Sequence, residues 1–196
     1  GPPRRPRAPA PPRGHTAFLR AVERAGYQRS ATAILLEADP GNPAVRDPKA
    51  ALIRRQARLE VDEDALPAGW WEGLALGPFR LSAFRLLDRL DGRLLARAST
   101  WDIAAGAALA DGRSRLGLIG LEVPPSERRK GFGRHLVTEI LRYARSQSAD
   151  LVAVQTSEAN APALALYQRL GFEPIDTATL YRLPSELLTR SDDAAA

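Results

Sequence analysis

The stretch from residue 116 to residue 146 constrains the fold more than any other part of the chain. Leu116 to Val123 is a largely apolar run followed by two prolines, and because it is too short for an ordinary helix it predicts a buried strand. Glycines follow at positions 131 and 133, and the apolar positions from Phe132 to Ala144 then recur on one helical face. A strand, a glycine-containing loop and an amphipathic helix in this order predict an α/β unit.

The residues that follow continue the alternation. Leu151 to Gln155 predicts a second strand, and Ala161 to Leu170 predicts a second helix that stops at Gly171. Phe172 to Leu183 predicts two short final strands. The C-terminal third therefore predicts an α/β fold with a crossover connection.

The N-terminal part predicts shorter elements. Phe18 to Val22 has the spacing of one amphipathic helix, ended by Gly26, and Ala31 to Leu36 predicts a strand. Ala50 to Val61 has a strand-like alternation of apolar residues. These three segments predict a helix, a turn and a strand, followed by a second extended segment.

A hairpin is predicted in the middle of the chain. Phe79 to Leu87 and Arg93 to Trp101 are extended runs, and the Asp91-Gly92 pair between them is typical of a tight turn. Before the hairpin, Pro67 begins a short predicted helix that runs to Leu76, because proline loses nothing at a first helical position. After it, Ala104 to Asp111 is predicted to be helix or loop.

Composition excludes several kinds of chemistry. A chain without cysteine has no disulfide, thiolate zinc site or cysteine nucleophile, and two histidines are too few for a histidine metal cage. We therefore expect no metal site. No segment approaches the roughly 18 apolar residues of a membrane helix, and residues 1–14 lack the apolar stretch of a secretory signal. The expectation is a cytoplasmic protein with no membrane partner.

Most of the net charge lies near the N-terminus. The formal charge is +5, but four arginines and no acidic residue lie within the Pro-rich residues 1–14, which leaves only +1 for the rest of the chain. We interpret residues 1–14 as a disordered tail, because this composition cannot bury a core. A near-neutral body attracts a polyanion weakly, so a nucleic-acid partner is not expected.

The loop between the buried strand and its helix suits a phosphate. Its sequence from residue 128 to residue 134 is Arg128, Arg129, Lys130, Gly131, Phe132, Gly133 and Arg134. Backbone N–H groups and the positive end of the helix dipole converge at such a helix start. The glycines allow a ligand to approach the backbone, and the basic side chains attract anions. A glycine turn beside a solvated basic patch is the structural alternative.

A second motif removes much of that ambiguity. Residues 160–172 read Asn-Ala-Pro-Ala-Leu-Ala-Leu-Tyr-Gln-Arg-Leu-Gly-Phe. Together with Arg128, Gly131 and Gly133, this segment resembles the paired motifs of the GNAT superfamily of acyl-coenzyme A-dependent N-acyltransferases. The later motif is matched at Asn160, Ala163, Leu166, Tyr167, Gly171 and Phe172. The resemblance extends from about Leu116 to Leu183.

The resemblance implies both a fold and a binding mode. It implies a mixed central sheet flanked by helices, with acetyl-coenzyme A as the acyl donor. The pyrophosphate would rest on the amides of Arg129 to Arg134, with Arg128 and Asn160 as further contacts. The pantetheine would follow the strand that ends at Leu121, Glu122 and Val123, and this strand should diverge from its neighbour to admit the acyl group.

The resemblance also implies catalytic roles. Tyr167 takes the position of the acid that protonates the leaving thiolate, and packing against Phe172 is its structural alternative. Gln155 stands where one branch of the family has a basic glutamate. The nearest carboxylates are Glu122, Glu158 and the more distant Asp102. We prefer Glu122 as the base, although a strand-end ion pair with Arg128 or Arg129 explains it equally well.

The absence of a clear base favours an easily deprotonated amine. At pH 7 an α-amine costs about 1 kcal/mol to deprotonate, whereas a lysine side chain costs about 4.6 kcal/mol. Without cysteine, the transfer should proceed by direct attack in a ternary complex.

Two further sets of residues are secondary candidates. Trp70, Trp71 and Glu72 lie where the family often forms one wall of the acceptor pocket, although packing of either tryptophan on the sheet is the simpler interpretation. His135 could contact a phosphate, but we predict that it faces solvent.

The N-terminal helix and strand resemble the C-terminal end of the same chain. Aligning Gly26 with Gly171 superposes Tyr27 on Phe172, while Val22 takes the place of Tyr167. We predict that residues 15–47 are the closing piece of a degenerate second GNAT-like module and that residues 48–196 are the acetyltransferase domain. This piece would pack on the intact module or on a second chain, and the second arrangement would make a homodimer. Chance similarity is the alternative.

The leading hypothesis is therefore transfer of acetyl from acetyl-coenzyme A to the primary amine of a peptide, protein or small molecule. The alternative of a different class is a catalytically lapsed coenzyme A-binding regulatory or interaction module. Nucleic-acid binding through the arginine-rich tail is a third reading, and it predicts affinity that falls steeply with salt.

Overall fold

The computed structural model describes residues 13–42, 47–67, 69, 80–102 and 111–184. Within these ranges the α-helices, named α1 to α4 in chain order, span Arg13–Arg24, Ala50–Gln56, Phe132–Ser146 and Ala161–Arg169. The strands β1 to β7 span Gln28–Ala38, Ala57–Asp62, Leu81–Asp88, Leu94–Asp102, Arg115–Glu122, Leu151–Ser157 and Glu173–Arg182. A 3-10 turn spans Pro125–Glu127. No described helix has the length and apolar content needed to cross a membrane.

The strands form one mixed sheet, as the resemblance to the GNAT superfamily implies. Their order is β2-β3-β4-β5-β6-β1-β7. The pairs from β2 to β5 are antiparallel, β5 and β6 are parallel, and β6 and β1 are antiparallel. The helix α3 connects the two parallel strands, which confirms the predicted crossover, and the hairpin is confirmed by β3 and β4.

The chain divides into two compact units. The larger unit is Ala33–Ala178, and it contains the helices and strands from α2 to β6 together with α4. The other unit consists of residues 1–32 and 179–196. Within this second unit the Ser30 hydroxyl donates a hydrogen bond to the Leu180 carbonyl at 3.0 Å. The domain boundaries expected from the sequence, at residues 14 and 47, stay a prediction.

The helix α3 supplies most of the helical side of the core in the larger unit. Its buried residues recur every three or four positions, at Leu136, Val137, Ile140, Leu141 and Ala144. Tyr143 meets Phe84 of β3 edge to face, with ring centroids 5.1 Å apart. The apolar face read from the sequence is therefore the face that covers the sheet.

Two secondary-structure predictions are wrong. The first half of Ala50 to Val61 is the helix α2, which ends at Gln56 and buries only Ile53, and the strand β2 begins at Ala57. A four-residue spacing of Ile53 and Ala57 puts both residues on one face of a helix or of a strand, so the apolar pattern alone does not separate the two. Phe172 to Leu183 contains the single strand β7, since neither glycine nor proline interrupts residues 175–182.

Several predicted segments fall in the gaps between the described ranges. Most of the helix expected from Pro67 to Leu76 lies outside the described residues, as does most of Ala104 to Asp111. The proposed acceptor wall of Trp70, Trp71 and Glu72 lies outside them too. The helix α1 begins at Arg13, within the tail predicted to extend to residue 14.

Candidate active site

The parallel strands β5 and β6 separate before they end. Their paired residues run only from Arg115 opposite Leu151 to Leu118 opposite Val154, whereas the described strands continue to Glu122 and Ser157. Beyond Leu118, the edge of β5 that faces β6 therefore carries backbone groups outside the ladder. An extended ligand can hydrogen-bond to such groups as an added strand would.

A bulge in β5 lies at the point of separation. The register between β4 and β5 shifts between Arg97 and Ser99, and Gly120 has φ +63°. A glycine with positive φ is the residue that such a bulge requires, and the extra residue bends the strand and increases its twist. The bulge thus bends β5 where it leaves β6.

The loop after β5 ends in a helix start that no side chain caps among the described residues. Gly131 is the N-cap of α3 with φ +100°, and the first helical hydrogen bond runs from the His135 N–H to the Gly131 carbonyl. The N–H groups of Phe132 and Gly133 precede that bond and have no acceptor within the helix. They are available to an anion, and the helix dipole adds to the attraction.

Gly133 brings three elements of the site together. A Cβ atom on this residue would lie 3.1 Å from Val123 Cγ2 at the end of β5 and 3.9 Å from Leu166 Cδ2 on α4. The first distance is tighter than a normal contact, so a side chain here would require the Val123 side chain to shift by a few tenths of an ångström. The glycine loop, the residue after β5 and the helix of Tyr167 therefore converge.

The basic residues of the loop differ in how they are engaged. Arg128 Nε donates to the Val123 carbonyl at 3.2 Å, and Lys130 Nζ lies 3.1 Å from Glu127 Oε2. Arg129 is exposed and has φ +64°, an uncommon backbone conformation for a residue other than glycine. One of the positive charges that the sequence offers to a phosphate, that of Lys130, is thus already paired with a carboxylate.

The carboxylate paired with Lys130 belongs to Glu127, a residue that was not identified from the sequence. Glu127 is buried and also contacts the Arg93 guanidinium. The hydrogen bond from Lys130, followed by that from Arg93, holds the pKa of Glu127 below its usual value despite burial. The three-residue spacing of Glu127 and Lys130 was the available signal, but nothing local pointed to Arg93.

Tyr167 lies buried on α4 against Phe172. Its side chain is 4% exposed, and the two ring centroids are 5.4 Å apart. Burial raises the pKa of Tyr167 to about 12, because a phenolate would be poorly solvated there. The structure thus shows the packing role, and the acid role of Tyr167 stays a prediction.

Asn160 has a structural role in the described protein. Its side-chain oxygen accepts a hydrogen bond from the Ala163 N–H at 3.3 Å and so caps α4, the helix that carries Tyr167. The contact of Asn160 with the acyl donor stays a prediction.

The preferred base, Glu122, forms an ion pair across two strands. Its Oε2 lies 2.6 Å from Arg97 Nη2 and 2.8 Å from Arg97 Nε, and both side chains are more than half exposed. The structural alternative named Arg128 or Arg129 as its partner, whereas the cross-strand register brings Arg97 opposite Glu122. Glu158 is exposed in the turn between β6 and α4.

The prediction that His135 faces solvent is wrong. Its side chain is 3% exposed, and Nδ1 lies 2.6 Å from Asp47 Oδ2, on a side chain that is 2% exposed. His135 is the fourth residue of α3, and it lies on the face of the helix that contacts Asp47 in the segment before α2. Because Asp47 is 88 positions away in the sequence, no local pattern could reveal this contact.

Comparison with known proteins identifies the family. The model of the acetyltransferase (GNAT) family matches residues 55–172, more than half of the chain. The chain belongs to the GNAT family of acetyltransferases. The match spans the bulged strand β5, the glycine loop and Tyr167.

Curated relatives within this family match parts of the chain. A mycothiol acetyltransferase from Thermobifida fusca is 33% identical over 104 residues, which are 53% of this chain and 32% of the relative. A streptothricin acetyltransferase from Streptomyces lavendulae is 36% identical over 73 residues, which are 36% of this chain and 39% of the relative. The matched part of the chain thus spans 32% and 39% of the lengths of these two relatives.

Solved structures agree with the fold. The tandem GNAT protein of the clavulanic acid biosynthesis pathway superposes with a TM-score of 0.64 at 20% identity, over 90% of this chain and 60% of that one. The glucosamine N-acetyltransferase region of a fungal GH3 β-N-acetylglucosaminidase superposes with a TM-score of 0.58 at 17% identity, over 86% of this chain and 22% of that one. At these identities the likeness establishes the GNAT fold alone.

Proposed function

We propose that this GNAT chain is an N-acetyltransferase that transfers an acetyl group from acetyl-coenzyme A to a primary amine. The observation that carries the proposal is the convergence at Gly133, where an uncapped helix start, the end of the diverging strand β5 and the helix of Tyr167 meet. Such an arrangement suits a ligand with a phosphate at one end and an extended amide chain at the other. Acetyl-coenzyme A has that form.

The residues of this chain divide the work of binding the donor. The N–H groups of Phe132 and Gly133 would hold the pyrophosphate, with charge supplied by Arg129 and the other loop residues. The backbone of Leu121 and its neighbours on β5 would bind the amide chain where β6 has diverged. The bound donor supplies an activated acyl group as a thioester.

Tyr167 and Glu122 are the proposed proton carriers. As the amine nitrogen forms its bond to the acyl carbon and the carbon–sulfur bond breaks, the Tyr167 hydroxyl donates its proton to the departing sulfur. The proton released from the attacking nitrogen passes to Glu122, directly or through water, and later returns to Tyr167 through solvent. The Tyr167 phenol is protonated at neutral pH, so it enters the reaction as a proton donor.

The acceptor class follows from the cost of deprotonation. Gln155 offers no carboxylate on β6, and Glu122 is engaged with Arg97, so an amine of low pKa is favoured over a lysine side chain. The two curated relatives are named for mycothiol and streptothricin, and neither name is that of a protein. We therefore place small amines ahead of peptides in the acceptor panel.

Calorimetric titration followed by a thiol-release assay tests the proposal. We expect micromolar binding of acetyl-coenzyme A and release of free thiol that depends on an added amine. Binding without thiol release across small amines, amino acids and peptides would favour a lapsed, regulatory module. No binding of acetyl-coenzyme A would contradict the proposal at its first step.

Replacing Glu122 by glutamine should lower kcat/KM about tenfold at neutral pH, because water remains as a poorer proton acceptor. The pH profile of kcat/KM should change, although protonation of the acceptor amine still lowers the rate at low pH. The matched variant Glu158→Gln should leave the profile unchanged. A profile altered by Glu158→Gln and not by Glu122→Gln would transfer the role of base to Glu158, and a profile altered by neither would leave it to water.

A further inference from the structure

The residues just before the family-matched region pack against the glycine loop. The match to the family begins at residue 55, so Asp47, Lys49 and most of α2 precede it. A Cβ atom on Gly131 would lie 3.5 Å from Lys49 Cδ and 3.5 Å from Ile53 Cδ1. Only one methylene separates Lys49 Cδ from the ammonium group. A cation from outside the family motif therefore lies beside the loop.

A buried carboxylate fixes the position of this lysine. Asp47 Oδ1 accepts a hydrogen bond from the Lys49 N–H at 3.0 Å, while Oδ2 of the same carboxylate meets His135 Nδ1 at 2.6 Å. Since His135 belongs to α3, one side chain ties the backbone of Lys49 to the helix whose first turn is the proposed phosphate site. The 3.0 Å ion pair of Arg54 with Glu139 of α3 secures α2 one helical turn further on.

The charge of Lys49 is not compensated within the described part of the chain. Its side chain is exposed, and none of the ion pairs among the described residues includes Lys49. Lys130 of the loop, by contrast, is paired with the buried Glu127. An exposed, uncompensated ammonium beside uncapped helix N–H groups is suited to an anion that rests on them.

We propose that Lys49 binds a phosphate group of the acyl donor and that the Asp47–His135 pair is the positioning device that holds Lys49 over the loop. This inference rests on the proposed function, because it assigns a further residue to the same donor site. The Lys49 ammonium is one methylene beyond a carbon that lies beside Gly131, and Gly131 directly precedes Phe132 and Gly133, whose N–H groups form the proposed phosphate site. The phosphate site is then assembled from both sides of Gly131.

The substitution Lys49→Gln tests the contact with the phosphate. It should raise the Kd of acetyl-coenzyme A about tenfold, the effect of losing one charge-assisted hydrogen bond. It should leave the KM of acetyl-pantetheine, which lacks the adenosine phosphates, unchanged. The matched control Arg55→Gln removes one exposed positive charge from α2 without touching the loop and should change neither value.

An unchanged Kd of acetyl-coenzyme A in Lys49→Gln would overturn the inference. An equal weakening with acetyl-coenzyme A and with acetyl-pantetheine would overturn it too. Neither result would contradict the proposed function. A wild-type protein that does not bind acetyl-coenzyme A would overturn both. Lys49 is exposed, so the variant keeps its fold, and a thermal unfolding curve matching that of the wild type verifies this.

The substitution Asp47→Asn separates positioning from simple electrostatics. Removing a negative charge near an anion site would by itself tighten the binding of acetyl-coenzyme A. If the pair positions Lys49, the same substitution should instead weaken binding several-fold, with no further loss when it is combined with Lys49→Gln. Tighter binding in Asp47→Asn, or fully additive losses in the double variant, would overturn the positioning role.

Discussion

Replacing Tyr167 by phenylalanine is expected to lower kcat about a hundredfold while leaving the Kd of acetyl-coenzyme A nearly unchanged. A positioned general acid contributes about 10²-fold or more to a rate. The variant removes only the hydroxyl, so the ring that packs against Phe172 remains in place. Stopped-time thiol release at saturating donor and acceptor measures kcat, and calorimetry measures the Kd. An unchanged kcat would remove Tyr167 from the mechanism.

The matched control is Tyr143→Phe. The Tyr143 hydroxyl lies 3.1 Å from the Ser82 hydroxyl, on the same helix as the glycine loop but near its other end. Its loss should lower the free energy of unfolding by about 1 kcal/mol and leave kcat unchanged. A comparable fall in kcat in both variants would show that the effect of Tyr167→Phe comes from the loss of packing or stability.

The pH dependence of Tyr167 gives an independent measurement of its environment. Its pKa is raised from about 10 in the unfolded chain to about 12 in the folded protein. Between these values the unfolded chain loses the tyrosine proton and the folded protein keeps it, so stability falls as the pH rises through this window. A spectrophotometric pH titration of the wild type and of Tyr167→Phe isolates the tyrosinate absorbance of Tyr167 as the difference between the two. This absorbance should develop near pH 12.

Replacing Gly131 by valine is expected to raise the Kd of acetyl-coenzyme A about a hundredfold or more. The φ of +100° at this position is unfavourable for any side chain and especially for a β-branched one. A Cβ would point toward Ile53 and Lys49, so the loss comes from backbone reorientation and from crowding of α2 and of the lysine proposed to bind a phosphate. Losing two hydrogen bonds to a charged phosphate costs about 3 kcal/mol or more, which calorimetry detects.

Gly112→Val is the matched control for backbone strain. Gly112 also has a positive φ, of +65°, and no atom lies within 4 Å of its Cβ position. This variant should lose stability on thermal unfolding but bind acetyl-coenzyme A as the wild type does. Equal loss of affinity in the two variants, or retained affinity in Gly131→Val, would show that the loop is not the phosphate site.

The parts of the fold that could be predicted are those encoded by neighbouring residues. The buried strand, the glycine loop and α3 follow from apolar spacing and from two glycines within one segment, and the structure confirms them. The same method failed for α2, where seven helical residues carry one buried apolar position and therefore too little periodicity to tell a helix from a strand. It failed again for β7, whose residues are nearly all exposed and give no core-facing pattern.

The sequence by itself determined the family motifs, the glycine loop and the candidate acid, because each depends on spacing within a short stretch. Only the tertiary structure decided the partners of the charged residues: Glu122 with Arg97, Glu127 with Arg93, and Asp47 with His135. These pairs join separate elements, and whether a charge is buried or neutralised depends on residues that only folding brings within a few ångströms. The insertion of β1 between β6 and β7 was likewise decided by long-range strand pairing, since its local sequence specifies a strand but not its neighbours.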